Sequence, residues 1–153
     1  MFRRKRSPRL DVIFNRHDPA LYFVTICTFR KKSLLANESI HRAFRSFAEI
    51  GKQKGICIGR YVIMPDHLHV FVTGDFMLMQ WARMLKLCLG QELRQSGVAE
   101  PIWERGFFDH LIRGTESYAQ KWDYVRENPV RAGLVQSAED WEFAGEVVQI
   151  DRW

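Results

Sequence analysis

Hydrophobic and polar positions along the chain change from one spacing to another, which predicts a mixture of strands and helices. Residues 20–29 are mostly β-branched or aromatic and predict a first strand. Residues 37–55 carry apolar side chains at intervals of three to four and start with Asn37, a good N-cap, so they predict a helix that ends at Gly55. Its apolar face is expected to contain Ile40, Phe44, Phe47 and Ile50.

The middle of the chain predicts a hairpin followed by a second helix. Residues 56–63 and 67–73 predict two strands joined by a turn at Pro65 and Asp66. The second helix is expected within residues 75–97, with a buried stripe at positions 77, 81, 84, 85 and 88. The methionines of this segment are expected to fill the core: Met77, Met79 and Met84.

The last third of the chain predicts one more strand and one more helix. Residues 102–114 favour a strand with an irregular start, and residues 115–129 favour a helix that begins at Thr115 and is ended or bent by Pro129. The order is therefore β-α-β-β-α-β with an additional C-terminal helix, an α+β, ferredoxin-like antiparallel sheet with two helices on one face. Because this fold serves many unrelated functions, function has to be argued from a site.

Two of the five histidines stand one residue apart in the stretch YVIMPDHLHVFVTG, residues 61–74. Since side chains alternate along a strand, His67 and His69 point to one side of the sheet and Leu68 points to the other. Such a pair is either a chance pair of polar surface residues or part of a metal site, and two imidazoles need at least one further ligand. The sheet face without the two helices would be open to a ligand.

The final predicted helix contains residues that complement the histidine pair. Tyr124 and Asn128 are four residues apart and so share one face of a continuous helix. A phenol of pKa ~10 is a weak nucleophile at neutral pH, but a cation beside a target phosphate compensates by neutralising charge. The amide oxygen of Asn128 can supply a third ligand beside the imidazoles. Together these residues indicate covalent phosphoryl transfer, with Tyr118 as the competing tyrosine.

Composition narrows the class of protein further. The chain has 153 residues, 46% of them hydrophobic, which fits one domain with its own core and excludes a disordered chain. No apolar run approaches the ~20 residues that cross a bilayer. The three cysteines are odd in number and widely spaced, which is typical of buried free thiols in a cytoplasmic protein: Cys27, Cys57 and Cys88.

Charge favours a polyanionic partner. The net charge is +5, and basic residues cluster in the first ten positions and again at Arg30, Lys31 and Lys32. Clusters of this kind match contacts to a phosphate backbone. A solvated basic tail that aids solubility is an equally open interpretation of the N-terminal cluster.

Three stretches in order, MPDHLHVFV, WERGFFDHLIR and YVRENPVRAGLV, closely resemble the REP-associated tyrosine transposases. These are relatives of the single-tyrosine insertion-sequence transposases, within the His-hydrophobe-His (HUH) endonucleases. The resemblance runs from about residue 18 to residue 135. It predicts a transposase domain over 18–135. The remaining residues are expected to form a basic N-terminal arm over 1–17 and a short C-terminal tail over 136–153, with Trp141 and Phe143 packing back on the core.

The resemblance implies a role for each residue of the site. Tyr124 matches the nucleophile, while His67, His69 and Asn128 match the ligands of a divalent cation, Mg²⁺ or Mn²⁺. Two nitrogen ligands suit Mn²⁺ better, so Mn²⁺ is expected to be the better activator in vitro. The implied activity is the nicking and rejoining of single-stranded DNA beside REP-like hairpins, through a 5′-phosphotyrosine intermediate and a free 3′-OH.

Further residues are expected to contact DNA or to support the site. The candidate DNA-binding residues are Arg3, Arg4, Lys5, Arg6, Lys86 and Arg113, and His110 is expected in a supporting role. The partner is expected to be single-stranded hairpin DNA and not a membrane, with both monomer and dimer open. The alternative function is a non-cleaving protein that binds hairpin DNA sequence-specifically, or one that binds structured RNA.

Overall fold

Five strands form one antiparallel sheet in the computed structural model, which describes residues 20–113 and 118–150. In chain order they are β1 (Leu21–Cys27), β2 (Ile56–Ile63), β3 (His67–Gly74), β4 (Phe108–Ile112) and β5 (Ala144–Glu146). Across the sheet their order is β4-β1-β3-β2-β5. The first four strands have the predicted ferredoxin-like arrangement, and β5 adds an edge strand that the sequence did not predict.

The helices lie on both faces of this sheet. They are α1 (Glu38–Gln53), α2 (Leu78–Gln95), α3 (Tyr118–Val125) and the single-turn α4 (Asn128–Arg131). α1 begins as predicted, since the side chain of Asn37 accepts a hydrogen bond of 2.9 Å from the backbone N–H of Ile40. Thr115, the predicted cap of the last helix, lies outside the described residues.

The main core lies between the sheet and the pair α1 and α2. Leu68, Val70 and Val72 are fully buried in it, as the alternation in β3 predicts. On α1 the buried stripe contains Ile40, Phe44 and Ala48. The prediction for Ile50 was wrong: this side chain is 56% exposed, because it lies to one side of that stripe.

The methionines of α2 and its N-cap lie on the surface, so the prediction that they fill the core was wrong. Met77, Met79 and Met84 are 60%, 52% and 51% exposed. The buried side of the helix is formed instead by Leu78, Trp81, Ala82, Leu85, Leu89, Gly90 and Leu93. Apolar residues occur around most of this helix, so their spacing alone did not select the buried face.

A bulge in β2 changes which residues face the helices. Ile58 pairs with Val72 but Tyr61 pairs with Val70, so β2 holds one extra residue in this interval. Tyr61 therefore points into the main core with Ile58, whereas Val62 points to the opposite face of the sheet. The bulge places Gly59 next to the helix that carries the predicted nucleophile.

The C-terminal segment completes the sheet edge. β5 pairs with β2 in a register that joins Arg60 to Glu146. Phe143 is buried, and the indole N–H of Trp141 donates a hydrogen bond of 3.0 Å to the carbonyl oxygen of Ile63. The packing of these two aromatic residues on the core was predicted. Among the described residues, no helix is long and apolar enough to span a membrane.

Candidate active site

The two histidines of β3 lie side by side on the sheet face opposite to α1 and α2. Their ring centroids are 4.8 Å apart. The ring of Phe23, from β1, stacks on His69 with 5.2 Å between centroids and 20° between planes. Phe23 and Trp122 of α3 pack against the same buried clusters, so α3 covers the same face. The pair thus stands beside the helix that carries the predicted nucleophile.

Each histidine is oriented by a hydrogen bond to its Nδ1 atom. The Nδ1 of His67 lies 2.7 Å from Oδ1 of Asp66, and the Nδ1 of His69 lies 2.8 Å from Oγ1 of Thr25. Because an ionised carboxylate only accepts, the Nδ1 of His67 carries the hydrogen, and the lone pair of the neutral ring is on Nε2. Outer partners of this kind orient metal-binding imidazoles.

The electrostatic environment keeps His69 neutral. Burial lowers its pKa to about 3, and the electrostatic effects of His67, Lys121 and Arg131 act in the same direction. At neutral pH the ring therefore has a nitrogen lone pair available for a cation. This is the protonation state that a metal ligand needs.

The structure separates the two competing tyrosines by burial. Tyr118 is 2% exposed, and its hydroxyl accepts a hydrogen bond of 2.9 Å from the backbone N–H of Arg60. Burial raises the pKa of Tyr118 to about 12, so this phenol is a poor nucleophile. Tyr124, near the end of the same helix, is 65% exposed. Only Tyr124 of this pair is accessible to a DNA strand.

Tyr118 packs closely against Gly59, in the bulge of β2. A methyl group added to Gly59 would lie 2.5 Å from the hydroxyl of Tyr118 and 2.7 Å from Cδ1 of Ile150. Both distances are shorter than van der Waals contact. The glycine therefore permits the close approach of α3 to the sheet.

The Gly59→Ala substitution is expected to lower the free energy of unfolding, measured in urea, by about 1–3 kcal/mol, because the added methyl group displaces Tyr118. In the double variant Gly59→Ala/Tyr118→Phe the clashing oxygen is absent. Its loss of unfolding free energy should therefore be smaller than the sum of the losses in the two single variants. Strictly additive losses would contradict this explanation.

The predicted final helix is interrupted after Val125. A helix running through Pro129 would need a backbone N–H at that residue to bond the carbonyl of Val125, and proline has none. The side-chain Nδ2 of Asn128 supplies the missing donor at 2.9 Å. Pro129 therefore ends α3, as predicted, but Tyr124 and Asn128 do not share one continuous helix, as the i, i+4 argument had assumed.

This hydrogen bond also orients the amide of Asn128. Because Nδ2 faces the carbonyl of Val125, Oδ1 is the atom left to bind a ligand. In the described part of the chain, no three His, Cys, Asp or Glu side chains are grouped as metal ligands. The role of the Asn128 amide oxygen as a third ligand stays a prediction.

Two cations that the sequence reasoning missed lie at the site. The guanidinium of Arg131 is 4.1 Å from the centroid of the Tyr124 ring and donates a hydrogen bond of 2.8 Å to the carbonyl oxygen of Tyr124. The ammonium of Lys121 is 4.9 Å from the centroid of Phe23. Both charges act on His69. Lys121 lies one helical turn before Tyr124, which is a weak sequence signal, whereas the proximity of Arg131 to Tyr124 depends on the break between α3 and α4.

The other predicted residues are distributed around this site. His110 is exposed on β4 and pairs in register with Phe23, which places it on the same sheet face as His69. Arg113 is exposed after β4. The ammonium of Lys86 donates to the carbonyl oxygens of Glu104 and Gly106, at 2.9 and 2.6 Å, and its contact with DNA stays a prediction. The basic arm with Arg3, Arg4, Lys5 and Arg6 lies outside the described residues.

Comparison with known proteins identifies the family. The family model of the IS200-like transposases matches residues 18–128. A REP-associated tyrosine transposase of Escherichia coli K12 is 26% identical over 127 residues, which cover 80% of this chain and 74% of the relative. A protein of Haemophilus influenzae provisionally assigned to the same group is 31% identical over 144 residues, covering 81% and 78% of the two chains.

A solved structure has the same fold. The structure of a REP-associated tyrosine transposase bound to a REP hairpin covers 99% of this chain and 96% of its own, with a TM-score of 0.67 and 22% identity. The chain belongs to the IS200-like transposase family. Within that family its similarity is to the REP-associated tyrosine transposases, and the chain is an enzyme of the tyrosine transposase type.

Proposed function

We propose that this transposase nicks and rejoins single-stranded DNA beside REP-like hairpins, with Tyr124 as the nucleophile. The observation that carries the proposal is an exposed tyrosine on a helix that packs on the same sheet face as an oriented histidine pair. The relative from E. coli is a REP-associated transposase, and the solved structure with the same fold holds a REP hairpin. Both support a hairpin as the recognised DNA.

The proposed reaction is a transesterification at phosphorus. The hydroxyl oxygen of Tyr124 attacks the scissile phosphate and loses its proton as the new phosphorus–oxygen bond forms. The bond from phosphorus to the 3′-oxygen breaks, and that oxygen takes up a proton to become a free 3′-OH. The 3′-terminal fragment of the strand stays attached to the protein through its 5′-phosphate, as a phosphotyrosine. Attack by a 3′-OH on this linkage reverses the step and rejoins the strand without an external energy source.

Several side chains would prepare this step. The guanidinium of Arg131 lies against Tyr124 and can bind a phosphoryl oxygen during attack. His67, His69 and Asn128 would hold a divalent cation, Mg²⁺ or Mn²⁺, through two imidazole nitrogens and one amide oxygen. When bound, such a cation would neutralise charge on the phosphoryl oxygens and fix the phosphate for in-line attack.

The test uses single-stranded hairpins from the DNA beside the chain's own coding sequence, labelled at the 5′ or the 3′ end. They are incubated with the full chain and Mn²⁺ or Mg²⁺ and separated on a denaturing gel. We expect a covalent protein–DNA adduct that carries the label of the 3′-terminal fragment and requires the divalent cation. Tight binding to several hairpins with no adduct would favour the alternative of a non-cleaving hairpin-binding protein.

A further inference from the structure

A groove opens beside His67, between the turn that follows β1 and the loop that precedes β4. Its volume is about 530 Å³, and Lys31, Arg105 and Phe108 line it together with His67. We propose that this groove seats one unpaired nucleotide next to the scissile phosphate, with Lys31 and Arg105 on its phosphate and Phe108 stacked on its base. This inference rests on the proposed function, because it takes single-stranded DNA as the substrate.

Two cations of the groove can bind a phosphodiester. The lining also contains two carboxylates, each with a hydrogen-bond partner of its own: Asp66 lies against His67, and Glu104 accepts a hydrogen bond of 2.9 Å from the backbone N–H of Arg30. Lys31 and Arg105 are exposed, and within the described part of the chain neither pairs with a carboxylate. The groove therefore offers two uncommitted cations, and a phosphate would neutralise them at little cost in broken contacts.

The turn that carries Lys31 is held in a conformation that is costly for its residues. Arg30 and Lys31 have φ angles of 53° and 54°, in the left-handed region that non-glycine residues rarely adopt. Thr28 fixes the turn to the strand connection before His67, since its backbone N–H donates to the carbonyl oxygen of Asp66 at 2.9 Å. Strain in a turn held this firmly is typical of functional sites, and here it keeps Lys31 at the groove.

The opposite wall of the groove is held by Lys86. Its ammonium donates to the carbonyl oxygens of Glu104 and Gly106, the two residues that flank Arg105. These bonds tie the loop to α2 and so limit where the guanidinium of Arg105 can lie. Lys86 is therefore a positioning residue, which acts on the groove through Arg105.

Phe108 provides an exposed aromatic surface in line with the histidines. It is 49% exposed, and it pairs in register with Thr25, which pairs on its other side with His69. The three residues form one row across the sheet, so the ring lies on the face where the chemistry is proposed. An aromatic ring in this place is suited to stack on an unpaired base.

The test compares the wild type with Phe108→Ala and with the double variant Lys31→Gln/Arg105→Gln. Dissociation constants are measured by fluorescence anisotropy for a hairpin with single-stranded flanks, in the absence of divalent cations. A series of hairpins carries one abasic nucleotide at a time along the flanks. We expect Phe108→Ala to weaken binding about tenfold. On the hairpin that is abasic at the seated position, wild type and variant should bind equally.

The double charge variant has a different expected signature. Loss of two phosphate contacts should reduce the slope of log Kd against log salt concentration by about 0.7 for each cation removed. Matched controls are Ile50→Ala and Lys52→Gln, exposed residues of α1 on the helix-covered face, which should leave both the affinity and the slope unchanged.

The outcomes separate this inference from the proposed function. If the wild type forms the covalent adduct but Phe108→Ala binds every hairpin as well as the wild type does, the groove does not seat a base. If Phe108→Ala weakens binding by the same factor on every abasic hairpin, the inference that Phe108 stacks on one seated base is also wrong. If the wild type neither binds nor attaches to any hairpin, the proposed function itself fails.

Discussion

Replacing Tyr124 by phenylalanine is expected to abolish the covalent protein–DNA adduct and to slow strand cleavage by about a thousandfold or more. The change removes the oxygen that attacks phosphorus, and it should affect the core little because the side chain is 65% exposed. The phenyl ring can keep its contact with the guanidinium of Arg131. Single-turnover cleavage of labelled hairpins, with the adduct counted on denaturing gels, measures both effects.

Tyr118→Phe is the matched control for this variant, since it removes a hydroxyl from the same helix. The buried hydroxyl accepts the backbone N–H of Arg60, so its loss should lower the free energy of unfolding by about 1 kcal/mol and leave the adduct intact. The opposite pattern, an adduct lost in Tyr118→Phe and kept in Tyr124→Phe, would show that the nucleophile is assigned wrongly.

The second large effect is expected when one imidazole of the pair is removed. His69→Ala should weaken the binding of Mn²⁺ by more than about a hundredfold and eliminate cleavage that depends on the cation. Asp66→Asn, which changes only the partner of His67, should have the smaller effect of an outer residue, about 10- to 100-fold on Mn²⁺ affinity. Titration calorimetry with Mn²⁺ measures the affinities, and anisotropy without cations checks that hairpin binding is retained.

His41→Ala is the control for the histidine variants. His41 lies on α1, on the other face of the sheet, where its Nε2 is 2.8 Å from the hydroxyl of Tyr61. Its replacement should reduce stability without changing Mn²⁺ affinity. Equal Mn²⁺ affinity in His69→Ala and the wild type would contradict the assignment of the cation site.

The fold could be predicted where a single face of an element is apolar. The alternation through Leu68, Val70 and Val72 predicted β3 and placed the two histidines on a common side of it, but the sheet face that they occupy is known only from the structure. The same logic failed on α2, where apolar residues surround the helix and the exposed methionines resemble buried ones. The bulge at Gly59 could not be predicted either, because the side chain that requires a glycine there is Tyr118, about sixty residues later in the chain.

The site could be predicted in its residue types but not in its details. Sequence offered two tyrosines, and only packing distinguishes the buried Tyr118 from the exposed Tyr124. Arg131 carried no distinctive pattern, since its proximity to Tyr124 depends on the break between α3 and α4. The basic turn at Lys31 was noticed as a charge cluster, but its position beside His67 follows from hydrogen bonds between distant segments.

The hydrogen bond between Asn128 and Val125 explains why an amide, and not a carboxylate, suits position 128. The side chain at this position has to donate a hydrogen bond to the carbonyl oxygen of Val125 and still leave an oxygen free for a ligand. An ionised aspartate has no hydrogen to donate, so it would place a carboxylate oxygen against a carbonyl oxygen. The three ligands proposed for the cation are therefore all uncharged. In such a site the full double charge would be available to the DNA phosphate, so affinity for the cation and affinity for the substrate strand would reinforce each other.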